Sequence, residues 1–195
     1  MEFRELNACE IECRIGQISR SGSSLTLLLY KNARTDADIL DETVGAENWQ
    51  CEFYEQKGTL FCRVGILIAG GTVDLDNNGM HSSVERWVWK SDAGAPSNME
   101  AQKGEASDAF KRACFKWGIG RELYTAPQIR IGSKFCRIQQ GSNGKYVCYD
   151  TFSVAKIKYH EGEIVGLAIR NDDMNRIAYT YVKDGFGREE NGSGQ

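Results

Sequence analysis

The sequence predicts an α+β fold in which an antiparallel β-meander is covered on one face by a single long central helix and followed by additional C-terminal β-hairpins. Three observations predict it. Residues 49–55 (WQCEFYE), 60–68 (LFCRVGILI) and 84–90 (VERWVWK) are short runs rich in β-forming residues, the first and third alternating, with turn chemistry between them. Residues 99–124 read as one amphipathic helix. At about 100° per residue, Ala106, Ala109, Phe110, Ala113, Cys114 and Trp117 gather on one side; Lys111, Arg112 and Lys116, with Lys103 near the start, supply the cations. The chain also holds 21 glycines and 2 prolines in 195 residues, which suits a turn-rich, sheet-containing fold.

The remaining elements follow in order. Residues 11–18 (IECRIGQI) alternate and are expected to form an edge strand. Arg20-Ser-Gly-Ser-Ser is a turn, and Leu25–Tyr30 is a short apolar strand. Residues 35–44 predict a helix capped by Thr35 or Asp36, with Ile39, Leu40 and Val44 facing inward and Gly45 ending it. Its acids Asp36, Asp38, Asp41 and Glu42 are expected on the solvated side. Gly118 is placed to stop the long helix, because glycine enters the left-handed region cheaply. Beyond Tyr124, strands are expected at 128–138, 145–149, 153–159, 163–169 and 177–182, joined as antiparallel hairpins. These patterns predict a core over residues 1–125, a β extension over 126–186 packed on it, and a disordered polar tail over 187–195.

The net charge is −3, but it is unevenly spread. The first hundred residues carry 9 basic and 16 acidic side chains, the rest 15 and 11, and the span 103–137 carries 8 and 3. A local cationic patch steers a polyanion even on an acidic protein, because charges beyond a screening length of about 8–10 Å are damped. No apolar run reaches the roughly 18–20 residues needed to cross a bilayer, and no signal peptide is seen, so a cytoplasmic protein without membrane contact is expected. Seven irregularly spaced cysteines predict reduced thiols, and no Cys/His spacing suits zinc.

Catalytic patterns are missing as well. The sequence has no phosphate-binding P-loop, no GxSxG and no HExxH, and its two histidines, His81 and His160, sit apart in turns. The aromatics Trp49, Phe53, Tyr54, Trp87, Trp89 and Trp117 are expected mainly in the core. One formal motif remains: Asp74, Asp76, Asn78, Gly79 and Glu85 match the spacing of an EF-hand calcium loop, although strand-like runs flank it where that motif needs helices. A calcium-binding protein built on Asp74, Asp76 and Glu85 is therefore one alternative function. A non-enzymatic protein-interaction module whose basic helix is merely solvated is another.

Several ordered stretches together resemble a known family. They are Tyr30, the run Asp38-Ile-Leu-Asp-Glu-Thr-Val-Gly-Ala-Glu-Asn-Trp49, the strand pair that follows, Trp87-Val-Trp-Lys90, and Lys103-Gly-Glu-Ala-Ser-Asp-Ala-Phe-Lys-Arg-Ala-Cys-Phe-Lys-Trp-Gly-Ile-Gly-Arg121. Over about residues 10–125 this is similar to the Rad52/22 single-strand annealing family, and most like the small phage-type proteins of the Sak kind. The resemblance implies a curved antiparallel sheet packed on a long helix. It implies no enzyme activity and no cofactor, ATP-independent binding and annealing of single-stranded DNA in recombination and repair, and assembly into a ring or helical homo-oligomer. It adds a single-strand-binding protein as a candidate partner. It also implies that Lys111 and Arg112 grip phosphates in a groove, that Lys103 makes a second, outer DNA contact, and that Arg20 and Tyr30 touch DNA. Phe115 stands where eukaryotic members carry a further groove arginine, with Lys116 beside it as a substitute. The long recruitment tail of the eukaryotic members has no counterpart in this sequence.

Overall fold

Among the described residues, two helices and eleven strands arise where the periodicity changes from 3.6 to 2. The computed structural model describes the backbone of residues 1–74, 81–95 and 101–186, and the side chains of residues 1–70, 85–95 and 104–186. The expected tail 187–195 lies outside them. The chain forms two compact units that interleave along the sequence, Met1–Arg4 with Asn32–Ile119, and Glu5–Lys31 with Gly120–Gln195.

The first unit contains α1 (Ala33–Val44), β3 (Trp49–Gln56), β4 (Thr59–Asp74), β5 (His81–Ala93) and α2 (Ala101–Trp117), the numbering leaving β1 and β2 to the second unit. The strands β3, β4 and β5 form the expected antiparallel meander. Cys62, Val64 and Ile66 of β4 are fully buried on one face, as are Ala109, Ala113 and Cys114 of α2, which packs against β4 and β5. The indole of Trp117 donates to the Val64 carbonyl at 3.0 Å and pins the last turn of the helix to the sheet. The single helix expected over 99–124 is shorter. It ends at Trp117, Gly118 turns out at φ 119°, and residues 121–125 form a separate 3₁₀ turn. The described residues therefore hold two helices, one of 12 and one of 17 residues, and not one long central one.

The first helix also starts earlier than its pattern suggested. Asn32, not Thr35 or Asp36, caps it, its side-chain oxygen accepting from the Thr35 amide at 3.0 Å. Asp36 is fully buried and not on the solvated face with Asp38, Asp41 and Glu42. Aromatic burial was overestimated in the same region: Phe53, Tyr54 and Trp87 are exposed. On the sheet face away from α2, Arg63 lies 4.5 Å over the Trp89 ring and is held by Glu52 at 2.6 Å. Gly65 gives the indole a flat seat, since a Cβ there would stand 2.8 Å from the ring.

The second unit contains β1 (Ile11–Ile18), β2 (Ser24–Lys31), β6 (Ile129–Gly132), β9 (Phe152–His160), β10 (Glu163–Asn171) and β11 (Arg176–Val182), with a two-stranded β7 (Gln139–Gln140) and β8 (Tyr146–Val147) ribbon. Six of these strands join one sheet in the order β11-β10-β9-β1-β2-β6. The C-terminal strands β9, β10 and β11 are antiparallel neighbours, and they continue the sheet begun by the N-terminal pair. β1, expected at an edge, is internal, with β2 on one side and β9 on the other through Glu12 opposite Ser153. Leu25, Leu27, Ile129, Ile131, Val154, Leu167 and Ile169 fill the buried face.

A polar knot closes the 133–150 loop of this unit. Buried Asp150 accepts from the Arg137 amide at 2.8 Å, from the Arg137 Nε at 2.7 Å and from Asn171 Nδ2 at 2.8 Å. Burial alone would raise this carboxyl, but the bonds from Asn171 and Arg137 outweigh it and hold it below the ordinary carboxylate range. A carboxyl depressed in the fold stabilises above its unfolded pKa, and that contribution vanishes as pH falls through the folded value. Asp150→Ala should cost about 2 kcal/mol near neutral pH by leaving the Arg137 amide and Asn171 Nδ2 without this acceptor, while the exposed Arg137 guanidinium keeps Asp173. Urea unfolding of both forms measures it, and the gap between them should begin to shrink as the pH falls below about 4, where the unfolded chain takes up the proton, and close as the pH passes below the depressed folded value.

Candidate nucleic-acid interface

An amphipathic helix that buries one side must present the other. Ala109, Phe110, Ala113 and Cys114 are buried, so the 100° step leaves Arg112 exposed and Lys111 half-buried at the helix flank, with Lys116 exposed one turn after Arg112. The backbone of Lys103 lies in α2; its side chain lies outside the described residues. The two acids on the outward side are occupied by backbone donors: Glu105 accepts from the Leu60 amide at 3.3 Å, and Asp108 from the Ala95 amide at 3.0 Å.

The cations do not stand alone. Strand pairing places Val64 opposite Lys90 and Cys62 opposite Asp92, so Lys90 and Asp92 share the sheet face that carries α2. Asp92, itself 21% exposed, lies 3.6 Å from both Arg112 and Lys116. Lys116 also donates to the Ser91 carbonyl at 2.6 Å, while Lys90 donates to the Lys116 carbonyl at 3.0 Å and lies 4.3 Å over the Trp117 ring. The Lys90 charge therefore sits at the C-terminal end of α2, where the helix dipole favours a cation. The resulting cluster is Lys90, Arg112 and Lys116 around one carboxylate, with Lys111 farther round the helix. Lys90 and Asp92 were missed in the sequence, although the alternation of β5 would have aligned them once the helix-bearing face was known.

Arg20 and Tyr30 belong to the other unit. Arg20 is exposed in the tight turn between β1 and β2, whose ends are joined by the Ser19 amide and the Ser24 carbonyl at 2.9 Å. Tyr30 is 36% exposed on β2, with the Arg14 guanidinium 4.8 Å above its ring and Glu12 2.8 Å from that guanidinium. The calcium alternative loses its required frame: Asp74 closes β4 and Glu85 lies on β5, so paired strands flank the loop where an EF-hand has helices. Asp76 lies outside the described residues. Among the described residues no cluster of three or more His, Cys, Asp or Glu side chains suits a metal, and no helix is long and apolar enough to cross a membrane.

Beneath α2, the Cys62 thiol donates to the Arg63 carbonyl at 3.8 Å, and the two thiols Cys51 and Cys62 influence each other's acidity. The neighbouring Cys62 side chain lowers Cys51 to about 7 against the opposing effects of burial and Glu52, and Cys51 in turn raises Cys62. Alkylation of exposed Cys51 followed by mass spectrometry should show a pH midpoint near 7, and Cys62→Ala should move that midpoint up by about one unit or more.

Comparison with known proteins agrees with the motifs. The family model for the Rad52/22 family double-strand break repair protein matches residues 4–140, which span α1, α2 and the whole three-stranded sheet. No curated protein and no solved structure matches the chain at the significance required. A match over well more than half the sequence shows that this chain belongs to the Rad52/22 family of double-strand break repair proteins.

Proposed function

We propose that the protein binds single-stranded DNA and anneals complementary strands without ATP, as a ring or helical homo-oligomer of the phage-type branch of its family. The observation that carries this reading is the outward placement of Lys111 and Arg112 on a helix whose opposite side is buried, in a chain of a double-strand break repair family. Annealing makes and breaks no covalent bond. It requires the phosphate backbone to be held by cations while base edges stay free to pair, and such binding is independent of sequence. Arg20, Tyr30, Lys103 and Lys116 are assigned to the same task. Repetition of the helix around an oligomer turns a modest patch into a continuous track, which offsets the net charge of −3.

The contacts of Arg112 and Lys116 with Asp92 favour a second reading, in which these cations chiefly brace α2 against β5. Two variants separate the readings. Lys111→Ala/Arg112→Ala should weaken binding to poly-dT on the order of tenfold, and should flatten the slope of log affinity against log salt by about 1.4, since each single-strand phosphate contact contributes about 0.7. Asp92→Asn should tighten binding about two- to fivefold, because an exposed ion pair worth up to about 1 kcal/mol no longer competes with phosphate. Filter binding over a salt series measures both. Unchanged binding by the double variant, or weaker binding by Asp92→Asn, assigns the cluster to bracing.

A further inference from the structure

Three cysteines of the first unit gather where α2 meets its sheet. Strand pairing sets Cys51 opposite Val64 and Phe53 opposite Cys62. Directly paired residues share a face, and residues two apart on a strand share it too. Cys51 and Cys62 are therefore diagonal neighbours on adjacent strands, on the face that carries α2. Cys114 of the helix acts electrostatically on Cys62 from the other side of that contact.

The three thiols differ in access. Cys62 and Cys114 are fully buried, whereas Cys51 is exposed. The helix packs on β4 and β5 and leaves β3, at the edge of the sheet, with Cys51 and Phe53 open to solvent. They differ in reactivity too. Burial raises Cys13, Cys136 and Cys148, while Cys51 is lowered to about 7, chiefly by the Cys62 side chain and against burial and Glu52. The thiolate is the nucleophile, and a thiol that ionises near ambient pH attacks fastest. An exposed thiolate thus stands beside a buried thiol.

We infer that Cys51 and Cys62 form a peroxide-sensitive pair, in which Cys51 is the attacking sulfur and Cys62 the resolving one, and that the pair closes reversibly into a cross-strand disulfide. The Cys51 thiolate attacks one oxygen of hydrogen peroxide; an S–O bond forms as the O–O bond breaks, and the departing hydroxide takes up a proton as water. The Cys62 sulfur then attacks the Cys51 sulfur; an S–S bond forms as the S–O bond breaks, and the hydroxide leaves with the Cys62 proton as a second water. Two thiols lose two electrons, and one peroxide gains them. The first step eases the second. Negative charge on Cys51 opposes ionisation of Cys62, and a neutral sulfenic acid removes that opposition. Diagonal partners stand about 7–8 Å apart, slightly beyond the about 4.4–6.8 Å between the Cα atoms of a relaxed disulfide. β3 must therefore move in by about 1 Å, which an edge strand permits, and the strain leaves the bond easily reduced.

The test treats the full chain with a few equivalents of hydrogen peroxide, blocks the remaining thiols with iodoacetamide and maps the digest by mass spectrometry without reduction. Wild type should yield peptides linked through Cys51 and Cys62, lighter by about 2 Da than their reduced parts, and dithiothreitol should restore both thiols. Cys62→Ala should trap Cys51 as a sulfenic acid, labelled by dimedone at least about fivefold more than in wild type, and Cys51→Ser should leave Cys62 reduced. The link is read in wild type, so the result does not depend on how a variant folds. The inference falls if peroxide carries Cys51 to a sulfinic acid with no link, if Cys51 joins the Cys51 of a second copy, if the link joins another pair such as Cys62 and Cys114, or if Cys51 stays reduced. No DNA enters the experiment, so its failure leaves the annealing reading standing.

Discussion

The packing of α2 on β4 is the contact from which the first unit's interface takes its orientation. Ala109 and Ala113 present only methyl groups to a strand face on which Cys62, Val64 and Ile66 are completely buried. Burying a Val or Ile side chain is worth about 1.5–3 kcal/mol, and enlarging a packed alanine costs about 1–3 kcal/mol, so the helix has little freedom to roll. The Trp117 indole bond to the Val64 carbonyl fixes its end. With that roll set, the direction of Lys111, Arg112 and Lys116 is settled by the helical step and not by any property of the cations. The same packing brings the α2 C-terminus onto β5, where Lys90 and Lys116 exchange bonds with each other's backbone segments.

A cluster of cations held this close repels itself, and Asp92 relieves that repulsion when no other anion is present. At 3.6 Å and with Arg112 and Lys116 each about half exposed, these pairs contribute about 0–1 kcal/mol apiece. A phosphate that offers Arg112 a two-point hydrogen bond competes well against so weak an internal partner, since charge-assisted guanidinium–phosphate bonds are shorter and stronger than a loose exposed pair. On the proposed DNA-binding reading, the carboxylate lowers affinity without closing the surface. Lys116 is held more firmly than Arg112, because its ammonium also reaches the Ser91 carbonyl. The difference ranks Arg112 above Lys116 as a group available to a ligand, although the sequence presents them as equals one turn apart.

What the sequence makes legible in this chain is local. The strands β3, β4 and β5 and the helix α2 follow from periods of 2 and 3.6 read in short windows, and the φ of 119° at Gly118 matches the stop expected there. What was not legible depends on partners far away along the chain. Nothing near Ile11–Ile18 announces that Ser153 will sit opposite Glu12, so an internal strand looked like an edge. Asp36 is polar and early in a helix, which is the ordinary description of a solvated residue, yet the fold buries it. Phe53 and Trp87 are aromatic on alternating strands, yet among the described residues both stay exposed. Asp92 carries no motif at all; its role comes from a strand register and a helix roll that meet only in three dimensions.

The uneven charge shows how an acidic protein can serve a polyanion. Summed over the chain the balance is unfavourable, but a strand of DNA at a surface responds to charges within about a Debye length of 8–10 Å and little beyond it. On α2 the nearest acids are turned to backbone duty by the Leu60 and Ala95 amides, and the acids of α1 belong to a different element, with Asp41 bound to the Trp49 indole and Glu42 to Arg4. Carboxylates that cap, brace or hold an indole are fixed in direction, so they shape where the negative potential lies as well as how large it is. A negative total is therefore compatible with cationic working surfaces, and it disfavours non-specific adhesion of polyanions elsewhere on the molecule. Affinity arises only where the fold has cleared or occupied the acids, and this makes the position of each carboxylate as much a part of the interface as the lysines and arginines beside it.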